Sequence, residues 1–217
     1  MRARAPISAG QGRAGRGTRF VLFTRWPEAG ATKTRLIPAL GPEGAADLQR
    51  RLTEHMLGVL RRTAAPTDIE VRYVGGSEQL VRDWLGHDLI VRAQPAGALG
   101  LKMAAAIRRA FVEGATRVLV VGSDIPGITP AILRRAQAAL AQARLVFGPA
   151  VDGGYYLVGQ SRYTPAVFDG IDWGTSRVLA QTRRTARRHG ARLHLLPPLA
   201  DVDRPADLPV WEEECGR

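Results

Sequence analysis

Two rhythms of hydrophobic positions alternate along the chain from Arg19 onward. Short apolar runs with the length of strands read RFVLFT (19–24), IEVRYV (69–74), LIVRA (89–93), RVLVVGSD (117–124), LVFGPA (145–150), YYLVG (155–159) and RLHLL (192–196). Between them apolar residues recur at helical spacing. A loop to about Pro42 leads into a helix through Arg62, with Leu48, Leu52, Met56, Val59 and Leu60 on one face. Further helices are predicted from Ser77 to about Leu85, over Leu99 to Val112, from Pro130 to about Ala141 and from roughly Thr175 to His189, with a last one opened by Pro205. Ser77 is an N-cap residue type, and proline suits the first helical position. Strands alternating with helices predict a single-domain, three-layer α/β/α unit with a mostly parallel sheet. Sheets of this kind bind ligands beyond the carboxyl ends of their strands, so those loops carry the candidate chemistry.

The length of 217 residues suits one such domain and is short for two. No apolar run approaches the ~18 residues that span a membrane, and no secretory leader is expected, because the N-terminus lacks an apolar region. Cys215 is the single cysteine and can form neither an internal disulfide nor a cysteine metal site, so a reducing, cytoplasmic setting is the expectation.

The formal charge of +11 suggests an anionic partner, but four of its arginines lie in the first 17 residues, MRARAPISAGQGRAGRG. That acid-free segment reads as a disordered basic tail before a domain spanning 18–217. It contains Gly10-Gln11-Gly12-Arg13-Ala14-Gly15, yet a dinucleotide fingerprint must follow a strand, and this one precedes the first. The remaining arginine pairs, such as Arg183–Arg184 and Arg187–Arg188, fall on solvated helix faces. No basic stripe is interleaved with aromatics, so a nucleic-acid-binding module is the weaker reading. Small anionic ligands, phosphates included, fit the charge better. Among 31 basic residues only Lys33 and Lys102 are lysine, which singles out Lys33 in its loop.

Four strand-end loops are unusual. In Thr24 to Leu36, Gly30 turns the backbone while Arg25, Lys33 and Arg35 gather positive charge suited to phosphate oxygens; a solvated basic loop is the competing reading. Gly122-Ser123-Asp124-Ile125-Pro126 places a carboxylate past the central strand, suited to a hard divalent ion or to a turn. Asp152-Gly153-Gly154-Tyr155-Tyr156 is a tight turn beside two phenols, and equally a hairpin signature. In Asp201-Val202-Asp203-Arg204-Pro205, Asp203 could instead be a helix N-cap. None of the four histidines lies in these loops and Cys215 has no partner in sequence, so a nucleophilic triad is not expected.

Taken in order, the motifs are K-T-R-L at Lys33, Q-x-x-G-x-L-G-x-[RK]-M at Gln94–Met103, G-S-D-x-P at Gly122, G-P-x-x-D-G-G-Y-Y-L-x-G at Gly148–Gly159, W-x-T-x-R-V-L at Trp173 and D-V-D-x-P-x-D-L at Asp201. Over roughly residues 19–211 they resemble the bacterial radical-SAM/selenodomain-associated transferase family, glycosyltransferase-like members of the nucleotide-diphospho-sugar transferase superfamily. That resemblance implies the GT-A fold, a mixed, mostly parallel sheet, Mg2+ or Mn2+ as cofactor, and a nucleotide or nucleotide-sugar donor with a small-molecule acceptor. It implies that Thr24, Arg25, Lys33, Arg35, Gln94 and Gly97 bind the nucleotide and its phosphates, and that Asp124 and Asp203 hold the metal. Asp152, Gly153, Gly154 and Tyr155 would face the acceptor or sugar, with Lys33, Asp124 and Asp152 catalytic. The chain departs from the pattern at Ala98, where the family carries aspartate, and at Lys102 and Gly174, in place of arginine and serine. The expected reaction is glycosyl transfer; nucleotidyl transfer to a phosphorylated acceptor and a catalytically idle member of the fold are the alternatives.

Overall fold

The computed structural model describes residues 16–215. Its strands are β1 (Arg16–Arg25), β2 (Ile69–Val74), β3 (Ile90–Ala93), β4 (Ala115–Gly122), β5 (Leu145–Pro149), β6 (Tyr155–Gln160) and β7 (Leu193–Leu195). The helices are α1 (Ile37–Arg61), α2 (Glu78–Leu85), α3 (Leu99–Val112), α4 (Pro130–Ala139), α5 (Val178–Arg188) and α6 (Leu208–Cys215). All the expected elements form, with shifted ends. The first strand begins at Arg16, two residues inside the segment read as a tail; residues 1–15, with their glycine motif, lie outside the described residues.

The strands form one sheet in the order β3-β2-β1-β4-β6-β5-β7. β1 runs parallel to β2 and β4, β2 to β3, and β5 to β7, while β6 is antiparallel to both neighbours. Every strand but β6 therefore points the same way. The reversal of β6 brings its first residue, Tyr155, to the edge where the others end.

Strand alternation sorts the core into two layers. Phe20, Leu22, Val71, Leu119 and Val121 pack under α1, α2 and α4 with Met56, Leu60, Val81 and Leu133. Their neighbours Val21, Val118, Val120 and Val158 face the other way, against Met103, Ile107 and Ala110 of α3 and Ala186 of α5. A third cluster joins Leu36, Leu48, Leu52, Val202 and Trp211, fastening two of the unusual loops to α1 and α6. Leu36 and Val202 are wholly buried there, and each such side chain contributes roughly 1.5–3 kcal/mol relative to exposure.

Helix ends follow local chemistry. The Ser77 side chain accepts the Leu80 N–H, and the Thr129 side chain accepts the Ile132 N–H just before Pro130. α1 starts at Ile37, earlier than expected, because its first turn precedes a kink at Gly41, whose φ of 69° only glycine adopts freely; Pro42 then restarts the helix.

Candidate active site at the strand ends

The four unusual loops meet over one edge of the sheet around an open cavity of ≈ 680 Å³. Its lining includes Thr24 and Arg25 at the end of β1, Lys33 and Arg35 after it, Asp124 after β4, Asp152, Gly154 and Tyr155 at the β5–β6 turn, and Asp201 and Asp203 after β7. Residues separated by more than 160 positions in the chain become direct neighbours: Lys33 Nζ donates to the Val202 carbonyl at 2.6 Å, and Arg35 Nη1 to Asp203 Oδ2 at 2.5 Å.

Lys33 sits at the centre of this arrangement. Its ammonium lies 3.7 Å from Asp124 Oδ2 and 4.0 Å from Asp203 Oδ1, and only 6% of its side chain is exposed. The sequence suggested a lysine offered openly to phosphate. The structure places its charge between two carboxylates, which balance the buried cation. The Val202 N–H bonds the Asp124 carbonyl at 3.0 Å, so one residue ties three loops together.

Asp203 is not the N-cap that its position allowed. Arg204 is the N-cap, and Asp207, three residues on, closes a capping box, its Oδ2 accepting the Asp203 and Arg204 N–H groups at 3.1 and 2.7 Å, while the Asp203 carboxylate faces Arg35 and Lys33. Asp152 is exposed; its Oδ1 accepts the Gly154 N–H at 2.8 Å. Gly153 stands just behind the lining with φ 91°, and a Cβ there would meet the Ser176 carbonyl at 2.2 Å. The Asp-Gly-Gly turn is thus pressed against the segment before α5.

Gln94 and Gly97 stand outside the cavity lining. Gln94 Nε2 donates to the Thr24 and Arg72 carbonyls at 3.2 and 3.0 Å, so it braces the ends of β1 and β2. Thr24 is buried, its hydroxyl engaged in a network centred on Gln49, whose Nε2 lies 3.2 Å from Thr24 Oγ1, Thr53 Oγ1 and Ser123 Oγ. Gln49 lines the cavity and was missed in the sequence; the signal was a polar pair four residues apart, Gln49 and Thr53, on the apolar face of α1. Ala98 is the N-cap of α3, has no side-chain cap bond and lies outside the lining. The carboxylate this chain lacks there sits at a helix-capping position.

Asp201, also unassigned from sequence, is held up to about 6 by partial burial and by the charges of Asp124 and Asp152. The cavity floor is therefore rich in negative charge. Burial pushes the Tyr156 phenol up to about 12 and that of Tyr155 well above its ordinary value, so both stay protonated. Cys215 does have a spatial partner, with Sγ 3.4 Å from His55 Nδ1, but burial and then Glu214 raise its thiol, which opposes a thiolate nucleophile.

This fold and site define a transferase-like enzyme of the nucleotide-diphospho-sugar transferase type. Within that class, the chain belongs to the family described as an uncharacterised protein conserved in bacteria, DUF2064, which it matches over residues 40–175. It is similar to a candidate nucleotide-diphospho-sugar transferase from Desulfovibrio desulfuricans G20, with 34% identity, 91% of each chain covered and a TM-score of 0.85. Two more distant structures share the fold. CMP:2-keto-3-deoxy-manno-octonic acid synthetase complexed with CTP has 10% identity, coverage of 91% and 98%, and a TM-score of 0.59. Rv0371c of Mycobacterium tuberculosis H37Rv complexed with manganese has 18% identity, coverage of 91% and 98%, and a TM-score of 0.53. No curated protein matches the sequence.

Proposed function

We propose that this chain is a metal-dependent glycosyltransferase-like enzyme that moves a sugar from a nucleotide-diphospho-sugar to a small acceptor. The observation that carries this reading is the convergence of Asp124 and Asp203 on one cation, beside Arg35 and at the strand-end edge. Carboxylates from two loops, aimed at a single positive centre, form a donor set that fits a hard divalent ion such as Mg2+ or Mn2+. Among the described residues no three acidic, histidine or cysteine side chains form a closed metal cage. A carboxylate pair completed by donor phosphates and water is the arrangement such an ion accepts. Of the structures that share this fold, the manganese complex agrees with a divalent ion and the CTP complex with a nucleotide donor.

Bound between Asp124 and Asp203, the ion would neutralise charge developing on the leaving diphosphate. Arg35 and Arg25 add guanidinium donors at the mouth of the same cavity. Asp152 has Oδ1 engaged by its own turn, so Oδ2 is the oxygen left to orient or deprotonate an acceptor hydroxyl. Charge counting favours a diphosphate donor over a triphosphate. The lining holds three cations, Arg25, Lys33 and Arg35, against four carboxylates, Asp124, Asp152, Asp201 and Asp203. Adding a divalent ion leaves a surplus of only one positive charge, which suits two phosphates better than three.

The test is nucleotide binding with and without Mn2+ in wild type and Asp124→Asn. The variant should keep its melting temperature and lose metal-dependent binding of a nucleoside diphosphate; unchanged affinity removes Asp124 from the metal site. Product analysis then decides the reaction: free nucleoside diphosphate from a sugar donor is expected, whereas pyrophosphate released from a triphosphate would identify a nucleotidyltransferase.

A further inference from the structure

We propose that Lys33 is a resident stand-in cation. Its ammonium keeps the ground between Asp124 and Asp203 and yields it to the divalent ion, turning to the donor phosphates as it leaves. This rests on the metal-dependent reading above and adds a role for the lysine within it.

The contacts of the ammonium divide unequally. It makes one short hydrogen bond, to the Val202 carbonyl at 2.6 Å, and stands 3.7 and 4.0 Å from the carboxylates. Those separations balance charge without using the carboxylate lone pairs. Asp124 accepts no side-chain hydrogen bond among the described residues, and Asp203 spends only Oδ2, on Arg35. The facing oxygens are thus open to a small hard ion, which binds carboxylates at roughly 2.0–2.6 Å. An ion held by both oxygens would stand within a few ångströms of the ammonium, and two cations so close repel even where Asp124 and Asp203 are 42% and 32% exposed and solvent screens part of the charge.

The backbone carries a second sign. Lys33 is the one non-glycine residue with positive φ among the described residues, at φ 46° and ψ 41°. A residue holds that left-handed conformation when its surroundings require it, and such strain collects at switching segments. From that backbone the side chain reaches inward to the Val202 carbonyl and the two carboxylates. The next two residues, Thr34 and Arg35, are exposed, so the loop that carries Lys33 borders solvent.

The scarcity of lysine supplies the assay, since Lys33 and Lys102 are the only two. Amine-reactive labelling read by mass spectrometry reports each separately, and Lys102, on α3 and outside the cavity lining, is the internal reference. Saturating Mn2+ alone should raise Lys33 labelling several-fold and leave Lys102 unchanged. In parallel, Lys33→Met should bind Mn2+ roughly tenfold tighter than wild type, because the competing charge is gone. Unaltered Lys33 labelling at saturating Mn2+, or equal Mn2+ affinity in the two proteins, overturns the stand-in role while leaving the metal site in place. If neither protein binds Mn2+, alone or with a nucleoside diphosphate, the metal-dependent reading falls and the stand-in role with it. The labelling arm uses wild-type protein and needs no folded variant.

Discussion

The buried network under the basic loop after β1 gives a sharp test of how the site is held. Gln49 Nε2 has two hydrogens and three oxygen neighbours at 3.2 Å: Thr24 Oγ1, Thr53 Oγ1 and Ser123 Oγ. All four residues are buried. Gln49→Leu keeps the volume and removes the donor. The Thr24 and Thr53 hydroxyls retain each other at 2.8 Å, and Thr53 retains the Gln49 carbonyl at 2.9 Å. Ser123 Oγ has no other protein partner and is stranded. Losing two neutral hydrogen bonds at about 0.5–1.5 kcal/mol each, plus a stranded hydroxyl at about 1–3, less the gain from burying leucine, leaves a net cost of roughly 2–3 kcal/mol. With a urea slope of about 2 kcal/mol/M, the unfolding midpoint should drop by roughly 1–1.5 M at unchanged slope. Ser123→Ala alone should cost little, because Thr24 and Thr53 still accept both Gln49 hydrogens, and adding it to Gln49→Leu should recover stability by removing the stranded hydroxyl. A midpoint change under about 0.25 M, or fully additive costs, would refute the network account.

Two other substitutions test different parts of the fold. Ala98→Asp should stabilise the protein by about 1 kcal/mol, since Ala98 has extended backbone at the N-cap of α3 and no side-chain cap; nucleotide affinity should stay the same, and a gain in affinity would show that the carboxylate reaches the ligand. Burial alone would raise the Glu113 carboxyl, but hydrogen bonds from Arg109 and Arg92 outweigh it and hold the group below its ordinary 4.5. A depressed carboxylate stabilises the fold above its unfolded value and loses that contribution as pH falls through the folded one. Glu113→Gln should therefore lower stability at pH 7 and flatten its decline below about pH 4.5, measured by urea midpoints across pH; parallel declines in the two proteins would contradict the pairing.

Much of the fold was legible because strand and helix periods are strong along this chain. Capping chemistry at Ser77 and Pro130 was readable too, since it depends on neighbours in sequence. The site was legible as four loops but not as an arrangement of charges. Nothing local shows that Lys33 turns inward to Asp124 and Asp203, because those residues meet only when β1, β4 and the segment after β7 end together. For the same reason Arg204, not Asp203, proves to be the cap, with Asp207 closing the capping box. Gln94 sits in a recognisable motif yet braces backbone, and Gln49 lies in an ordinary-looking helix yet supports the cavity floor. Arg19 and Glu70, both buried at the opposite side of the molecule's core, face each other at 3.7 Å and were indistinguishable from strand residues of any surface.

The joint among the three loops runs through the peptide groups of Val202, its N–H to the Asp124 carbonyl and its own carbonyl to Lys33. Main-chain atoms are the same in every amino acid except proline, so the side chain there answers only to the apolar cluster of Leu36 and Trp211. Isoleucine or leucine could stand in its place and leave the joint intact, while proline would cut it at a single atom. A main-chain link between loops can thus persist while the sequence drifts, and a comparison of side chains alone would pass over the residue that joins them.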